Sequence, residues 1–181
     1  DPTGRAAAVN QFLAGDGGAC RGVVYMGALA VDGEGAGRAP DFAAARRDGW
    51  GAVLDLVHTL AASGLAQPPR LWLVTRGAQA AGELPSALHL AQSPIWGLAR
   101  VIAAEHPELG CSRVDLDPGG DPSAVDLLAE EIALDQPEDQ IAYRGGERFV
   151  ARLRHAGSGD RDELTLPRGA PYRAEILSRG E

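Results

Sequence analysis

Two glycine-rich stretches carry the first residues whose spacing could do chemistry. Dinucleotide-binding folds place a G-x-G-x-x-G turn directly after a strand, where the backbone approaches the pyrophosphate at a helix N-terminus. In residues 33–38 (GEGAGR) the third required glycine is replaced by Arg38, and Glu34 would set a negative charge beside the phosphates. In residues 15–20 (GDGGAC) the last position is Cys20 instead of glycine. We interpret both stretches as surface loops and predict no cofactor-binding residues.

A tyrosine with a lysine four residues later would be the pair for hydride transfer of the short-chain reductase type. Tyr25, Tyr143 and Tyr172 have no such partner, because the chain contains no lysine and its 17 basic residues are all arginine. The same absence excludes a phosphate-binding loop of the G-x-x-x-x-G-K-[ST] type and a lysine Schiff base. The sequence therefore predicts no catalytic residue.

Histidine and cysteine are the residues that could ligate a metal. The chain carries His58, His89, His106, His155, Cys20 and Cys111. None of them pair at the H-x-x-x-H or C-x-x-C spacing of a zinc site, so we predict no metal site. The chain also lacks a G-x-S-x-G nucleophile turn. Ser93 is better explained as the N-cap of a helix with Pro94 at its first position, and Ser158 lies in a polar linker.

Several candidate catalytic or binding side chains lie on one predicted helix within residues 92–110. Glu105 and His106 are adjacent, so their side chains point in different directions and do not suit joint acid–base work. We interpret Trp96 as core or interface packing rather than a binding platform. Arg100 is interpreted as a solvated or carboxylate-paired surface residue rather than a phosphate clamp.

Secondary-structure elements alternate along the chain. Helices are predicted at about residues 6–13, 42–63, 94–106 and 122–134, and strands at 23–26, 71–75, within 110–119, and at 140–144 and 147–153. Short apolar runs bounded by glycine or proline are typical of buried strands, and the Gly-Gly pair at 145–146 predicts a hairpin turn. Asp115 and Asp117, in RVDLDPG, could mimic ribose-binding acids, but we interpret them as the start of a turn. The alternation predicts an α/β fold with a mostly parallel sheet, flanking helices and a C-terminal hairpin.

Apolar spacing predicts the buried face of each long helix. Asp41 is predicted to cap the helix at 42–63, and Gly64 to end it. The predicted inward residues are Trp50, Val53, Leu54, Val57 and Leu60/Ala61 in the first helix, Ile95, Leu98, Ala99, Ile102 and Ala103 in the second, and Val125, Leu128 and Ile132 in the third.

The charge and apolar content of the chain exclude some classes of binding partner. The net charge of −8 opposes binding to phosphate backbones, so we expect no nucleic acid partner. No apolar run approaches the ~20 residues that span a bilayer, so we expect no membrane partner. Two distant cysteines suit a reducing cytoplasm. The chain begins DPTGRAAAVN, without an initiator methionine or a signal pattern, and we expect it to be part of a longer polypeptide.

Four stretches read together resemble a known family. They are LWLVTRGA, QSPIWGLARVIAAEHPEL, RVDLD and EDQIAYRGGERFVARL, within residues 22–153. The most specific is the S-P-x-W-G-L-x-R-V run with E-H-P-E-L, at Ser93–Val101 and Glu105–Leu109. The chain resembles the structural subdomain of ketoreductases in modular polyketide synthases and related multifunctional fatty acid synthases. The resemblance implies a truncated Rossmann-like (short-chain-dehydrogenase-like) sheet without its cofactor site, packed on the catalytic ketoreductase subdomain.

The resemblance also implies a domain organisation. Residues 1–154 would form the structural subdomain with the N-terminal part of its sheet missing, 155–170 a linker, and 171–181 (PYRAEILSRGE) the start of an enoylreductase domain. The chain alone would then be a non-catalytic scaffold within a multifunctional synthase. NADPH would bind the companion ketoreductase and enoylreductase, and acyl carrier protein would be an indirect partner.

Two other functions stay open at the level of sequence. One is a free-standing NADPH-dependent reductase with a degenerate cofactor site, which the missing lysine and third glycine oppose. The other is a docking module for the acyl carrier protein. The acidic net charge opposes this function, since carrier proteins are acidic and Arg46/Arg47 and Arg152/Arg154 are the only adjacent or near-adjacent basic pairs.

Overall fold

The computed structural model describes residues 2–13, 20–30, 43, 45–82, 88–134 and 136–153. Its strands are β1 (Gly22–Tyr25), β2 (Arg70–Arg76), β3 (Ser112–Leu116), β4 (Gln140–Arg144) and β5 (Glu147–Val150). Its α-helices are α1 (Pro2–Leu13), α2 (Gly51–Ala62), α3 (Pro94–Glu105) and α4 (Ala124–Ala133). The chain divides into two units, Asp1–Ala151 and Arg152–Glu181. The predicted linker at 155–170 and the segment 171–181 lie outside the described residues.

The five strands form one sheet in the order β1-β2-β3-β4-β5. The first three pairings are parallel and the last is antiparallel. This confirms the predicted fold class, a mostly parallel Rossmann-like sheet with flanking helices and a C-terminal hairpin. Gly145 and Gly146 have φ values of 56° and 80°, so the hairpin turn needs the two residues that adopt positive φ most readily.

The sheet is covered on both faces. Alternate residues of β2 point in opposite directions, so Leu71 and Leu73 pack with α2 and α3 whereas Trp72 and Val74 pack with α4. The first cluster contains Ala28, Val53, Leu56, Val57, Leu60, Leu71, Leu73, Ile95, Ala99, Ile102, Leu109 and Cys111. The second contains Trp72, Val74, Val114, Leu116, Ala124, Leu128, Ile141 and Tyr143.

The predicted single helix over 42–63 is wrong, because the chain breaks before α2. Ala45–Trp50 forms one wide π-type turn in which Gly49 has non-helical φ and ψ of −105° and −112°. A Cβ at Gly51 would lie 2.1 Å from the Arg46 carbonyl oxygen, so glycine is what permits the tight junction. The predicted cap, Asp41, lies outside the described residues.

Several predicted faces need correction. Leu56 is buried in α2 where Leu54 was expected, and Ala61 is exposed. Val125 is 75% exposed, because the buried stripe of α4 runs through Ala124, Leu128 and Glu131. The predicted buried strand at 23–26 is the half-exposed strand β1, which forms one edge of this sheet. The inward face of α3 is confirmed, with Ile95, Ala99 and Ile102 buried and Leu98 and Ala103 packed beside them.

Candidate functional site

The carboxyl ends of β2, β3 and β4 meet at one edge of the sheet. Open α/β folds bind their ligands outside the carboxyl ends of the strands, at a point where the strand order reverses. The five described strands follow one another in sequence without such a reversal. Three polar side chains converge there: Thr75 near the end of β2, Asp115 near the end of β3 and Arg144 at the end of β4. The parallel register sets Thr75 directly beside Asp115.

Asp115 is fully buried and its carboxylate is completely coordinated. One oxygen, Oδ1, accepts hydrogen bonds from the Thr75 hydroxyl at 2.6 Å and from the Ala78 N–H at 2.9 Å. The other, Oδ2, accepts from the Gln79 N–H at 3.0 Å and from the Arg144 guanidinium at 2.5 Å. The carboxylate therefore holds the loop after β2 against the end of β4.

Arg144 is 9% exposed and completes the same network. Its Nη1 donates to the carbonyl oxygens of Asp115, Leu116 and Tyr143, at 3.2, 3.2 and 2.6 Å. Its Nη2 donates to the carbonyl of Gln79 at 2.6 Å as well as to the Asp115 carboxylate. One guanidinium thus cross-links β3, β4 and the loop after β2.

Helix α3 joins the network from its N-terminal end. The Trp96 indole is 5% exposed, and its N–H donates to the Thr75 hydroxyl oxygen at 2.9 Å, which confirms its interpretation as a core residue. Ser93 is not the predicted N-cap, because it has helical φ and ψ and makes no capping bond. Its hydroxyl instead donates to the Ala78 carbonyl at 3.0 Å. These bonds connect the carboxyl ends of β2, β3 and β4 to one another and to the start of α3.

The two aspartates of RVDLDPG have different roles. Asp117 accepts hydrogen bonds from the N–H groups of Gly119 and Gly145, both at 2.7 Å, as expected of a turn residue. Asp115 does not start a turn but lies within β3, so that part of the prediction is wrong. A signal in the sequence was its position in a central strand, where every side chain is covered and a charge needs an internal partner.

Two tyrosines of the described residues are bound to internal acceptors. The Tyr25 hydroxyl donates to the Asp48 carbonyl at 2.6 Å and fastens the wide turn before α2. The Tyr143 hydroxyl donates to Glu131 at 2.7 Å, and burial, followed by this hydrogen bond, raises the pKa of Tyr143. Tyr172 lies outside the described residues. Both phenol protons thus have structural acceptors.

Histidine and cysteine residues do not come together in the part of the chain described. No group of three or more His, Cys, Asp or Glu side chains there could hold a metal ion. His106 pairs with Glu108 at 3.0 Å and not with its neighbour Glu105. Cys111 is buried, and burial raises its pKa to about 11. His155, residues 33–38 and all of 15–20 except Cys20 lie outside the described residues.

Arg100 is an exposed surface residue, as expected. Its guanidinium donates to the Gln140 side-chain oxygen at 3.2 Å, an amide rather than the carboxylate that was considered. Among the described residues, no helix is both long enough and apolar enough to cross a bilayer.

A second buried carboxylate, Glu131, holds α4 to the hairpin. It is 1% exposed and accepts two hydrogen bonds from Arg148, at 2.6 and 2.8 Å, and one from Tyr143. The Arg148 hydrogen bonds lower the pKa of Glu131, burial opposes them, and the Tyr143 hydroxyl lowers it further. Sequence reasoning missed this residue, although it lies at the i+7 position from Ala124 and the i+3 position from Leu128 on the buried stripe.

We expect Glu131 to make stability fall with acid. Because its folded pKa lies below the unfolded value of about 4.3, its contribution is complete above about pH 5 and is lost as the pH falls through the folded pKa. Urea unfolding of the wild type between about pH 6 and pH 3 measures this slope. Glu131→Gln should show a shallower slope, with the remainder due to groups such as Asp121, whose pKa is also lowered by bonds to Ser123. Equal slopes for both proteins would contradict the assignment.

The chain is similar to one stretch of several polyketide synthases. Residues 3–153 match the family described as polyketide synthase extender module SpnB, Rossmann fold domain. Pikromycin polyketide synthase component PikAII of Streptomyces venezuelae is 38% identical over 148 residues, 82% of this chain and 4% of that protein. Polyketide synthase GfsA of Streptomyces halstedii is 37% identical over 124 residues, 67% of this chain and 2% of that protein.

Solved ketoreductase structures share the fold. A C2-type ketoreductase from a modular polyketide synthase superposes with a TM-score of 0.66 at 34% identity, covering 83% of this chain and 30% of that one. A-type ketoreductases from a modular polyketide synthase superpose with a TM-score of 0.65 at 30% identity, covering 89% of this chain and 33% of the other. The chain therefore corresponds to a small part of the curated relatives and about a third of the solved chains.

Proposed function

This chain belongs to the family of Rossmann fold domains of polyketide synthase extender modules, and on that premise we propose that it is a non-catalytic scaffold. It would stabilise the catalytic ketoreductase half of a reducing synthase. The similarity to the ketoreductase region supports a role in processing the β-carbon of polyketide chains. The chain alone would carry out no reaction.

The observation that carries this proposal is the network of internal hydrogen bonds at the carboxyl ends of β2, β3 and β4. A dinucleotide needs an open crevice there and a glycine turn that lets its phosphates approach the backbone. In this chain the Asp115 carboxylate and the Arg144 guanidinium occupy the edge and bind the loop at Gln79. A cofactor phosphate entering there would meet a negative carboxylate and displace several internal hydrogen bonds.

The same network suits a scaffold in a second way. It cross-links the loop after β2, the ends of β3 and β4 and the start of α3, so we expect these elements to move little relative to one another. A rigid subdomain loses little conformational entropy when it docks. A permanent contact with the catalytic half would bury about 1,200 Å² or more of surface.

The remaining parts of the proposal follow the family resemblance. NADPH would bind the companion ketoreductase and enoylreductase domains, and acyl carrier protein would interact with those domains rather than with this chain. Residues 171–181 would begin the enoylreductase domain. The synthase would work in the cytoplasm, consistent with the two unpaired cysteines, Cys20 and Cys111.

The scaffold role is tested by purifying the catalytic ketoreductase half of the same synthase and measuring its thermal unfolding alone and mixed with this chain. We expect the mixture to unfold at a temperature about 5 °C or more above that of the catalytic half alone, as mass action requires when a partner binds only the folded form. An unrelated soluble protein at equal concentration is the control. A catalytic half with the same unfolding temperature and reductase activity in both samples would overturn the scaffold role.

The rival functions predict different outcomes. A free-standing reductase would oxidise NADPH in the absence of any catalytic half. A docking module would bind acyl carrier protein directly, and the catalytic half would gain no stability from it.

A further inference from the structure

We propose that the groups around Asp115 form an anion-binding site whose ligand in the native protein is the Asp115 carboxylate, and that this site takes a small external carboxylate when that side chain is shortened. Four donors surround it: the Thr75 hydroxyl, the N–H groups of Ala78 and Gln79, and the Arg144 guanidinium. They come from β2, the loop after it and β4, whereas the carboxylate comes from β3. The donors and their ligand are thus supplied by different elements.

The arrangement of the donors matches a bidentate oxyanion. Each carboxylate oxygen receives two hydrogen bonds, Oδ1 from Thr75 and Ala78 and Oδ2 from Gln79 and Arg144. Successive backbone N–H groups that point to one place form a concavity that favours anions. The adjacent guanidinium adds a full positive charge with the planar geometry that suits carboxylates.

The donors are held in place by contacts that do not involve the Asp115 side chain. The Trp96 indole donates to the Thr75 hydroxyl, which leaves that hydroxyl's own proton for an anion. The Ser93 hydroxyl holds the Ala78 carbonyl. Three carbonyl oxygens besides that of Asp115 hold the Arg144 guanidinium, those of Gln79, Leu116 and Tyr143. When the carboxylate is removed, the bond from Arg144 to the Gln79 carbonyl still links β4 to the loop after β2, so we expect the donors to keep their positions.

This inference goes beyond the scaffold role and does not depend on it, because it concerns the donors alone. The substitution Asp115→Ala removes a carboxylate group of three heavy atoms, and formate is a carboxylate of the same three heavy atoms. Buried donors without an acceptor are costly, so the variant gains stability when formate supplies the missing acceptor. In the wild type the internal ligand keeps the site filled.

The experiment follows thermal unfolding of the wild type, Asp115→Ala and Asp115→Asn in sodium formate and in sodium chloride at equal ionic strength. We expect the midpoint of Asp115→Ala to rise saturably with formate, by about 3 °C or more near 200 mM. The wild type and Asp115→Asn, in which the side chain still fills the space, should respond by less than about 1 °C. Equal responses of the three proteins, or none in Asp115→Ala, would overturn the proposal.

A second measurement covers the case in which Asp115→Ala does not stay folded in chloride. The variant is then diluted from urea into formate or into chloride, and the folded fraction is read from tryptophan fluorescence. We expect several-fold more folded protein in formate. Equal yields in the two salts would overturn the proposal.

Discussion

Replacing Arg144 with methionine is expected to lower the free energy of unfolding by about 3–5 kcal/mol, because the change removes one partner of a buried ion pair. Asp115 is fully buried, and Arg144 is the only cation bonded to it among the described residues. The carbonyl groups of Leu116, Tyr143 and Gln79 lose a donor at the same time. Guanidinium unfolding followed by tryptophan fluorescence measures the loss.

Arg100→Met is the matched control for that substitution. Arg100 is exposed, and its guanidinium donates to the Gln140 amide oxygen rather than to a buried carboxylate. We expect its free energy of unfolding to stay within about 0.5 kcal/mol of the wild type. If Arg144→Met cost less than about 1 kcal/mol, the buried network would not hold the carboxyl edge together.

The substitution Trp96→Ala is expected to destabilise the protein by about 3–5 kcal/mol, as truncation of large buried aromatic side chains does. The indole is 5% exposed, packs between α3 and the sheet, and donates to the Thr75 hydroxyl. Its loss creates a cavity and leaves the Thr75–Asp115 pair with one donor fewer. Denaturant unfolding, read by circular dichroism because a tryptophan is removed, gives the value.

Trp96→Phe separates packing from hydrogen bonding. Phenylalanine keeps most of the ring volume but cannot donate to Thr75, so we expect a smaller loss of about 1–2 kcal/mol. A loss under about 1 kcal/mol for Trp96→Ala would mean that the indole contributes little to the core.

The fold was predictable because its local signals agree with its packing. The apolar run in β2, the glycine pair of the β4–β5 hairpin and the proline at the start of α3 each indicate their element without reference to the rest of the chain. Where tertiary packing decides, prediction was less successful. The spacing of Val125 fits an inward face as well as that of Ala124 does, and only the position of α4 on the sheet decides between them.

The break before α2 could not be predicted from apolar periodicity. Gly49 and Gly51 lie in a helical apolar pattern that continues across them, so periodicity alone favours one long helix. The kink depends on a close approach of the chain to the Arg46 carbonyl and on the Tyr25 hydroxyl, which is distant in sequence.

The network at the carboxyl edge could not be read from spacing along the chain. Thr75 and Asp115 are 40 positions apart, and Asp115 and Arg144 are 29 apart. They meet because parallel strands align their carboxyl ends, and the register that pairs them depends on the whole sheet. The sequence did indicate that the chain lacks lysine and a complete glycine turn. These absences argue against cofactor binding, but they do not predict the hydrogen-bond network at the strand ends.

We propose that this Rossmann-like sheet binds no NADPH, because its own side chains are bonded to one another at the carboxyl ends of β2, β3 and β4. Isothermal titration of the chain with NADPH tests that claim most directly, with the catalytic ketoreductase half as the positive control. We predict no heat of binding to the chain up to about 1 mM cofactor, the concentration at which even weak sites with Kd near 1 mM would be half filled. Saturable binding of NADPH to the chain with a micromolar Kd would contradict the account.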